Sequence, residues 1–252
     1  MLLRKFGQAL SIAAVAVVLA SCVATSTDRA TLPPATVESA TTGVEAAKPG
    51  GLGAVYAQLA HEGGKSFTLD PKTSTVRIYA FRAGKMARLG HNHVLAAPQF
   101  DGYFHLPEAG TSSARFDLEF RLDQLEIDNP LYRATLGKAF ASVLTPEAIE
   151  GTRQHMLGES NMQADLFPYV RIHSLQITGE APKFAAKIQV EMHGQTREIW
   201  VPLNVEGLPD ALSVSGAFVL RQTDFGVKPY SVMGGMLAVQ DEVVIEFQLR
   251  GA

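Results

Sequence analysis

The stretch RFDLEFRL places an apolar residue at every second position: Phe116, Leu118, Phe120 and Leu122 alternate with Arg115, Asp117, Glu119 and Arg121. Only an extended chain, whose side chains point alternately to opposite faces, turns that order into one buried face and one wet face. The alternation returns at Val76, Ile78 and Ala80, at Phe100, Phe104 and Leu106, and at Ile188, Val190 and Met192. It recurs at Ile199, Val201, Leu203 and Val205, at Leu212, Val214, Phe218 and Leu220, and at Val243, Ile245, Phe247 and Leu249. With a weaker strand over residues 169–178, the pattern predicts an all-β domain of about eight antiparallel strands, separated by breaks such as MHGQT and EGLPDA. A sheet of that size with one continuous apolar face packs on another sheet or closes on itself as a barrel.

Residues 129–167 interrupt this pattern. Thr145 followed by Pro146 and Glu147 reads as an N-cap with proline at the first helical position, and Gly158 as the stop after Met156 and Leu157. A second helix is expected over residues 131–143. A helical insertion in an all-β chain serves as a cover for an open barrel end or as a gate at a cavity mouth.

The N-terminal segment opens with Arg4 and Lys5, continues through an apolar stretch and closes on Leu19, Ala20, Ser21 and Cys22. Residues 1–21 read as a lipoprotein-type signal peptide, too short in its apolar core for a membrane span. Leu-Ala-Ser-Cys resembles a lipobox, in which Cys22 carries the lipid attachment. Cys22 is the sole cysteine, so it forms no disulfide within the chain. Val23 stands where an aspartate would resemble an inner-membrane retention signal. The expected location is therefore the bacterial cell envelope, periplasm-facing and anchored to the outer membrane. Residues 22–64, rich in Ala, Thr, Pro and Gly, read as the lipidated cysteine followed by a flexible tether. Residues 65–252 then form one folded domain with a substantial core. A net charge of −3 and no basic cluster argue against a nucleic-acid partner. GGKS at residues 63–66 is not a phosphate loop, because Leu59 stands where its first glycine belongs.

The segments LDPKTSTVRIYAF, FDGYF, DLFPYVRI, MHGQTREIWVPLNV, QTDFGV and VQDEVVIEFQLRGA, in this order and spacing, resemble the YceI-like family of secreted bacterial proteins. The resemblance spans roughly residues 67–250. It implies a lipocalin-like barrel whose long apolar interior holds an isoprenoid or other amphiphilic lipid, reached by a protein that is membrane-bound through its anchor. The chain departs from the family at Gln222, where many members carry arginine, with Arg221 one place earlier. Residues 129–167 also look longer than the family's usual insertion.

His91 and His93, in RLGHNHVL, lie one residue apart after a glycine that permits close approach of a ligand or another backbone. The letters HNH alone do not make a nuclease, whose motif is longer. On an extended chain the two imidazoles share a face. They read as hydrogen-bonded wall residues, as contacts to a ligand head group, or as half of a metal site still needing further ligands. His173, His193, His61, His105 and His155 are weaker candidates for those. Phe116, Phe120, Phe218 and Phe247 are the ligand-binding candidates of the inward pattern, each also an ordinary core residue. Phe167 and Phe225, beside breaks in the strand pattern, are expected at the mouth or tunnel, and Asp224 as a turn cap before Gly226. No serine-histidine-aspartate order, phosphate loop or paired-carboxylate motif stands out, so no catalytic residue or cofactor is assigned. The expected function is lipid binding without catalysis. The alternatives are a histidine-dependent metalloprotein, an envelope enzyme acting on a lipid-like substrate, or a scaffold that presents its loops to a protein partner.

Overall fold

A computed structural model of the protein describes residues 51–252. The signal segment 1–21, Cys22 and the tether through residue 50 lie outside the described residues. Helix α1 (Gly51–Glu62) is followed by β1 (Lys65–Thr68), β2 (Thr75–Ala83), β3 (His93–Ala96), β4 (Asp101–Leu106), β5 (Arg115–Arg121) and β6 (Glu126–Ile127). Then come α2 (Pro130–Thr135), α3 (Pro146–Leu157), β7 (Tyr169–Glu180), β8 (Lys183–Met192), β9 (Gln195–Glu206), β10 (Leu212–Arg221), β11 (Ser231–Val232) and β12 (Leu237–Gly251).

The strands form one antiparallel sheet in the order β1-β4-β5-β7-β8-β9-β10-β12-β2-β3-β6, with β11 on β12. The sheet curls until its first strand meets β12. Leu69 bridges Gly251, Thr68 and Ala252 exchange backbone hydrogen bonds of 3.1 and 3.2 Å, and the Asp70 amide donates to the Arg250 carbonyl at 2.8 Å. The all-β, curled, lipocalin-like class is as expected, but twelve strands replace the expected eight. The extra ones, β1, β3, β6 and β11, have two to four residues each, too few to display a period. MHGQT is a two-residue hairpin: Met192 pairs with Gln195, and His193 and Gly194 take positive φ of 53° and 68°. Both central residues of a type I′ turn need that geometry, which matches the twist of the flanking strands.

The inner faces of the long strands build the core around Phe67, Leu118, Ile188, Val190, Val201 and Leu212. The outer face of β5 is not wet. Asp117 and Glu119 are 7% and 6% exposed, because cationic side chains and α1 cover them. Glu119 accepts a hydrogen bond from Arg171 at 2.5 Å. Asp117 accepts from Tyr56 at 2.7 Å and pairs with His173 Nδ1 at 2.6 Å. Burial opposes ionisation of Asp117, but the hydrogen bonds from His173 and Tyr56 outweigh it and hold the carboxyl below its ordinary value. Burial, reinforced by the Asp117 charge, pushes the Tyr56 hydroxyl well up.

Residues 51–62 are therefore not tether. They form a helix whose Tyr56 is 1% exposed and stacks on Tyr103 with ring centroids 5.2 Å apart. The segment holds few large apolar residues, yet good helix formers and one anchoring tyrosine suffice to dock it.

In the insertion, the Thr145 hydroxyl accepts from the Ala148 amide at 3.2 Å and the Gly158 amide closes on Gln154, so α3 starts and stops where expected. The expected helix over residues 131–143 is instead the short α2. Gly137 takes a φ of 72° and breaks it. A 3-10 turn, Lys138–Phe140, follows. Its Phe140 packs against Tyr79 and Phe81 on the outside of the sheet, with centroids at 6.0 and 6.3 Å.

Candidate functional site

Because the inner faces of the strands are apolar along their whole length, the curled sheet encloses space rather than polar groups. Two adjoining chambers of about 440 and about 100 Å³ share Val76, Ile172, Phe218 and Ile245 in their walls. Phe104, Phe116, Phe184 and Phe247 line the smaller chamber, where Thr111 is the one polar side chain among the described residues. The larger chamber is walled by Phe120, Val190 and Met192, and by Met156 from α3. Its polar residues are His93, Thr152, His155, Asn161, Gln222 and Tyr230. His155 and Tyr230 are exposed and their rings lie 5.1 Å apart, so this chamber reaches solvent beside them. No Lys, Arg, Asp or Glu among the described residues lines either chamber. Helix α3 covers one side of the larger chamber through Ala148, Gly151, Thr152 and His155.

His93 is the polar group most firmly positioned in that wall. It begins β3, and its Nδ1 lies 2.6 Å from Asp128 Oδ2. Asp128 is 1% exposed and sits at a φ of 53° just after β6. Its Oδ1 accepts from the Val94 amide at 3.1 Å and from Arg133 at 2.5 Å. Arg133, 6% exposed, is presented by α2, whose first turn is capped by the Asn129 side chain accepting from the Leu131 amide. Arg133 also donates to the Asn92 carbonyl at 2.8 Å and to the Ser142 hydroxyl at 2.9 Å. The Asn92 side chain accepts from the Arg82 amide and donates to the Ala139 carbonyl, both at 3.1 Å.

Burial opposes the Asp128 charge, but the hydrogen bond and charge of His93, the Val94 amide and Arg133 outweigh it and hold the carboxyl below its usual value. A carboxylate at Nδ1 fixes the proton there, as carboxylates do for orienting imidazoles elsewhere. Nε2, which has no protein partner among the described residues, is what this ring offers to an occupant.

The other sequence candidates separate. Phe116, Phe120, Phe218 and Phe247 line the chambered interior. His91 does not. It stands one residue before the buried Asn92, and burial, with the charges of His93 and Arg133, lowers its pKa. Phe167 and Phe225 do not line it either. Phe167 sits on the β8–β9 turn, 5.2 Å from the His193 ring and against Gly194, where a Cβ would come within 2.7 Å of it. Phe225 is 1% exposed in the core, and its carbonyl accepts from His193 Nδ1 at 3.0 Å. Both seal the hairpin because the turn needs a cover. His173 lies on the outer wall with Asp117, and among the described residues no group of three or more His, Cys, Asp or Glu side chains is arranged around a metal position. Asp128, Asn92 and Arg133 escaped the sequence reading. The only local signal was an acid and an arginine flanking the helix start in IDNPLYR, and nothing in it points to a histidine 35 residues earlier.

The YceI-like domain family matches residues 67–250. No curated protein matches the chain. Among solved structures, BcnA of Burkholderia cenocepacia shares the fold with a TM-score of 0.53 at 14% identity, over 73% of this chain and 99% of that one. A polyisoprenoid binding domain from Saccharophagus degradans, implicated in plant cell wall breakdown, aligns at 14% identity and a TM-score of 0.48, over 73% of this chain and 97% of its own. The Campylobacter jejuni YCEI protein aligns at 8% identity and a TM-score of 0.43, over 61% and 81%.

Proposed function

The chain belongs to the YceI-like family, and from that premise we propose that it binds an isoprenoid or another long-chain amphiphile in its barrel and carries it within the bacterial envelope. The observation that carries this reading is the pair of adjoining apolar chambers with no charged side chain among the described residues in their walls. Water gains little there, whereas each buried methylene contributes about 0.8 kcal/mol before ordering costs. An extended hydrocarbon thus supplies most of the affinity, and His93 Nε2 orients the head. A wall without cations favours an uncharged head, since an anion placed there would lose its hydration without a partner. The lipobox-like ending at Cys22 supports anchoring to the outer membrane. We further propose carriage without conversion: His93 is held as an acid or base would be, but no Ser, Cys, Lys, Asp or Glu among the described residues lines the chamber with it.

The test is native mass spectrometry of the protein purified without added lipid, before and after organic extraction. A reproducible hydrophobic mass that leaves on extraction, and that a long-chain isoprenoid alcohol replaces, is the expected result. A chain that neither releases a mass nor takes up the alcohol would rule the reading out.

A further inference from the structure

The larger chamber reaches the surface beside His155 and Tyr230, and Tyr230 leads into a hairpin on which a second loop packs. Tyr230, in its wall, accepts from the Val239 amide at 2.9 Å, and Val232 pairs with Leu237, so residues 233–236 form a hairpin tip beyond the opening. The loop of residues 84–90 leans on that tip: the Met86 amide donates to the Met236 carbonyl at 2.7 Å. Asn161, another wall residue, donates to the carbonyl of Lys228 at 2.8 Å, which ties the stretch before the hairpin to the same rim. The side chains shown here to solvent are apolar. Met233 is 64% exposed, Leu89 58% and Met236 40%. Lys85, Arg88 and Lys228 are interspersed with them, exposed and without an ion pair among the described residues. Residues 84–92 and 225–240 contain no aspartate or glutamate, although the chain as a whole is acidic, with 25 Asp and Glu against 22 Lys and Arg.

We infer that this rim is a docking surface for an anionic lipid bilayer, and that it sets the chamber opening against the membrane so that an amphiphile passes between bilayer and barrel without crossing water. Apolar side chains that enter the acyl boundary, ringed by cations that meet phosphates, are the composition of an interfacial anchor. The charge decides the occupant: the acids that flank the hairpin, Asp241 and Glu242, lie with Arg221, and the three cations without an ion pair among the described residues complement a phosphate-rich surface. The inference uses the proposed lipid binding only to say what passes through the opening. Docking itself is independent of whether the cavity is filled.

The test uses the full-length chain carrying Cys22→Ser, so that no lipid anchor contributes to partition, with two reporters. Trp200, the sole tryptophan, is 50% exposed on the outer wall of β9 and serves as the internal reference. The second reporter is Met236→Trp in a Trp200→Phe background. Each is mixed with vesicles of two parts phosphatidylcholine to one part phosphatidylglycerol, or of phosphatidylcholine alone, with spin-labelled acyl chains. The Met236→Trp emission is expected to shift blue and be quenched on the anionic vesicles, while Trp200 stays unquenched. Each cation near an anionic surface raises partition about five-fold, so adding Lys85→Gln and Arg88→Gln lowers the lipid titration midpoint affinity for rim quenching about 25-fold. Equal quenching of both reporters, quenching indifferent to phosphatidylglycerol or to the loss of both cations, or an unquenched Met236→Trp overturns the inference. Uptake of the isoprenoid alcohol without vesicles reads the cavity separately. A chain that binds the alcohol with a dry rim refutes docking alone, and one that docks without binding refutes the cargo alone.

Discussion

Asp128→Asn isolates the charge at the centre of the His93 site. Asparagine is close to isosteric and tolerates the left-handed backbone at the φ of 53° this position needs, so the change removes little besides the charge. In the folded protein Arg133, 6% exposed, then faces no carboxylate, and the His93 Nδ1 proton meets a neutral partner. Stripping one partner from a buried ion pair costs about 3–5 kcal/mol, since the remaining charge stays out of water. Adding Arg133→Met removes that charge. The double variant gives up the hydrogen bonds to the Asn92 carbonyl and to Ser142, and is expected to lie about 1–3 kcal/mol below the native protein, more stable than the single variant. Urea unfolding of the two single variants, the double variant and the parent reads this directly. A single-variant loss under about 1 kcal/mol, or a double variant that is the sum of both singles, would refute the claim that an unpaired buried cation dominates.

Four further outcomes follow from the same geometry. Phe218→Trp, at the junction of both chambers, enlarges a side chain in the shared wall and is expected to weaken binding of a long alcohol more than of a short one, read by competition with a fluorescent fatty alcohol. His93→Ala is expected to keep chain affinity but blunt discrimination among amphiphiles that differ only in the head, whereas His91→Ala, outside the wall, leaves that discrimination unchanged. Tyr56→Phe, which deprives Asp117 of one hydrogen bond under α1, should lower stability by about 1–2 kcal/mol, and deletion of residues 51–62 by more; a loss of neither would return that segment to the tether. In acid, Asp117 and Asp128 titrate below the usual 3.8, so their contribution is complete above that value and lost as pH falls through their folded values. His91, held below 6.5, adds an earlier shallow decline as its unfolded form takes up protons first, and urea midpoints against pH should show that step vanish in His91→Ala.

What was legible in the sequence was what one element decides alone. The alternation from Phe116 to Leu122 names its inner face whichever strands lie beside it, and Thr145, Pro146 and Gly158 bound α3 through contacts within four residues. The inward phenylalanines Phe116, Phe120, Phe218 and Phe247 were found for the same reason. Whatever depends on two distant segments was not. His91 and His93 look alike on paper, and only Asp128 and Arg133, brought in by β6 and α2, distinguish them. Asp117 and Glu119 read as wet because the cover arrives from α1 and from β7, and Tyr56 read as tether because a lone aromatic gives no period. Phe167 and Phe225 adjoin strand breaks, as mouth residues would, but so does any side chain that must seal a hairpin.

The seam between Thr68 and Ala252 joins points separated by almost the whole described chain. Contacts so remote in sequence close late, since the entropy of the intervening loop must be overcome before their hydrogen bonds form, and barrels rich in such pairings fold in about milliseconds to seconds. Until then the inner chamber has no wall on that side, and its aromatic faces stand open to any amphiphile nearby. Refolding with a long-chain alcohol present should therefore trap it faster than soaking the finished barrel, whose seam is already closed. The order in which the chain is made thus bears on what it comes to hold.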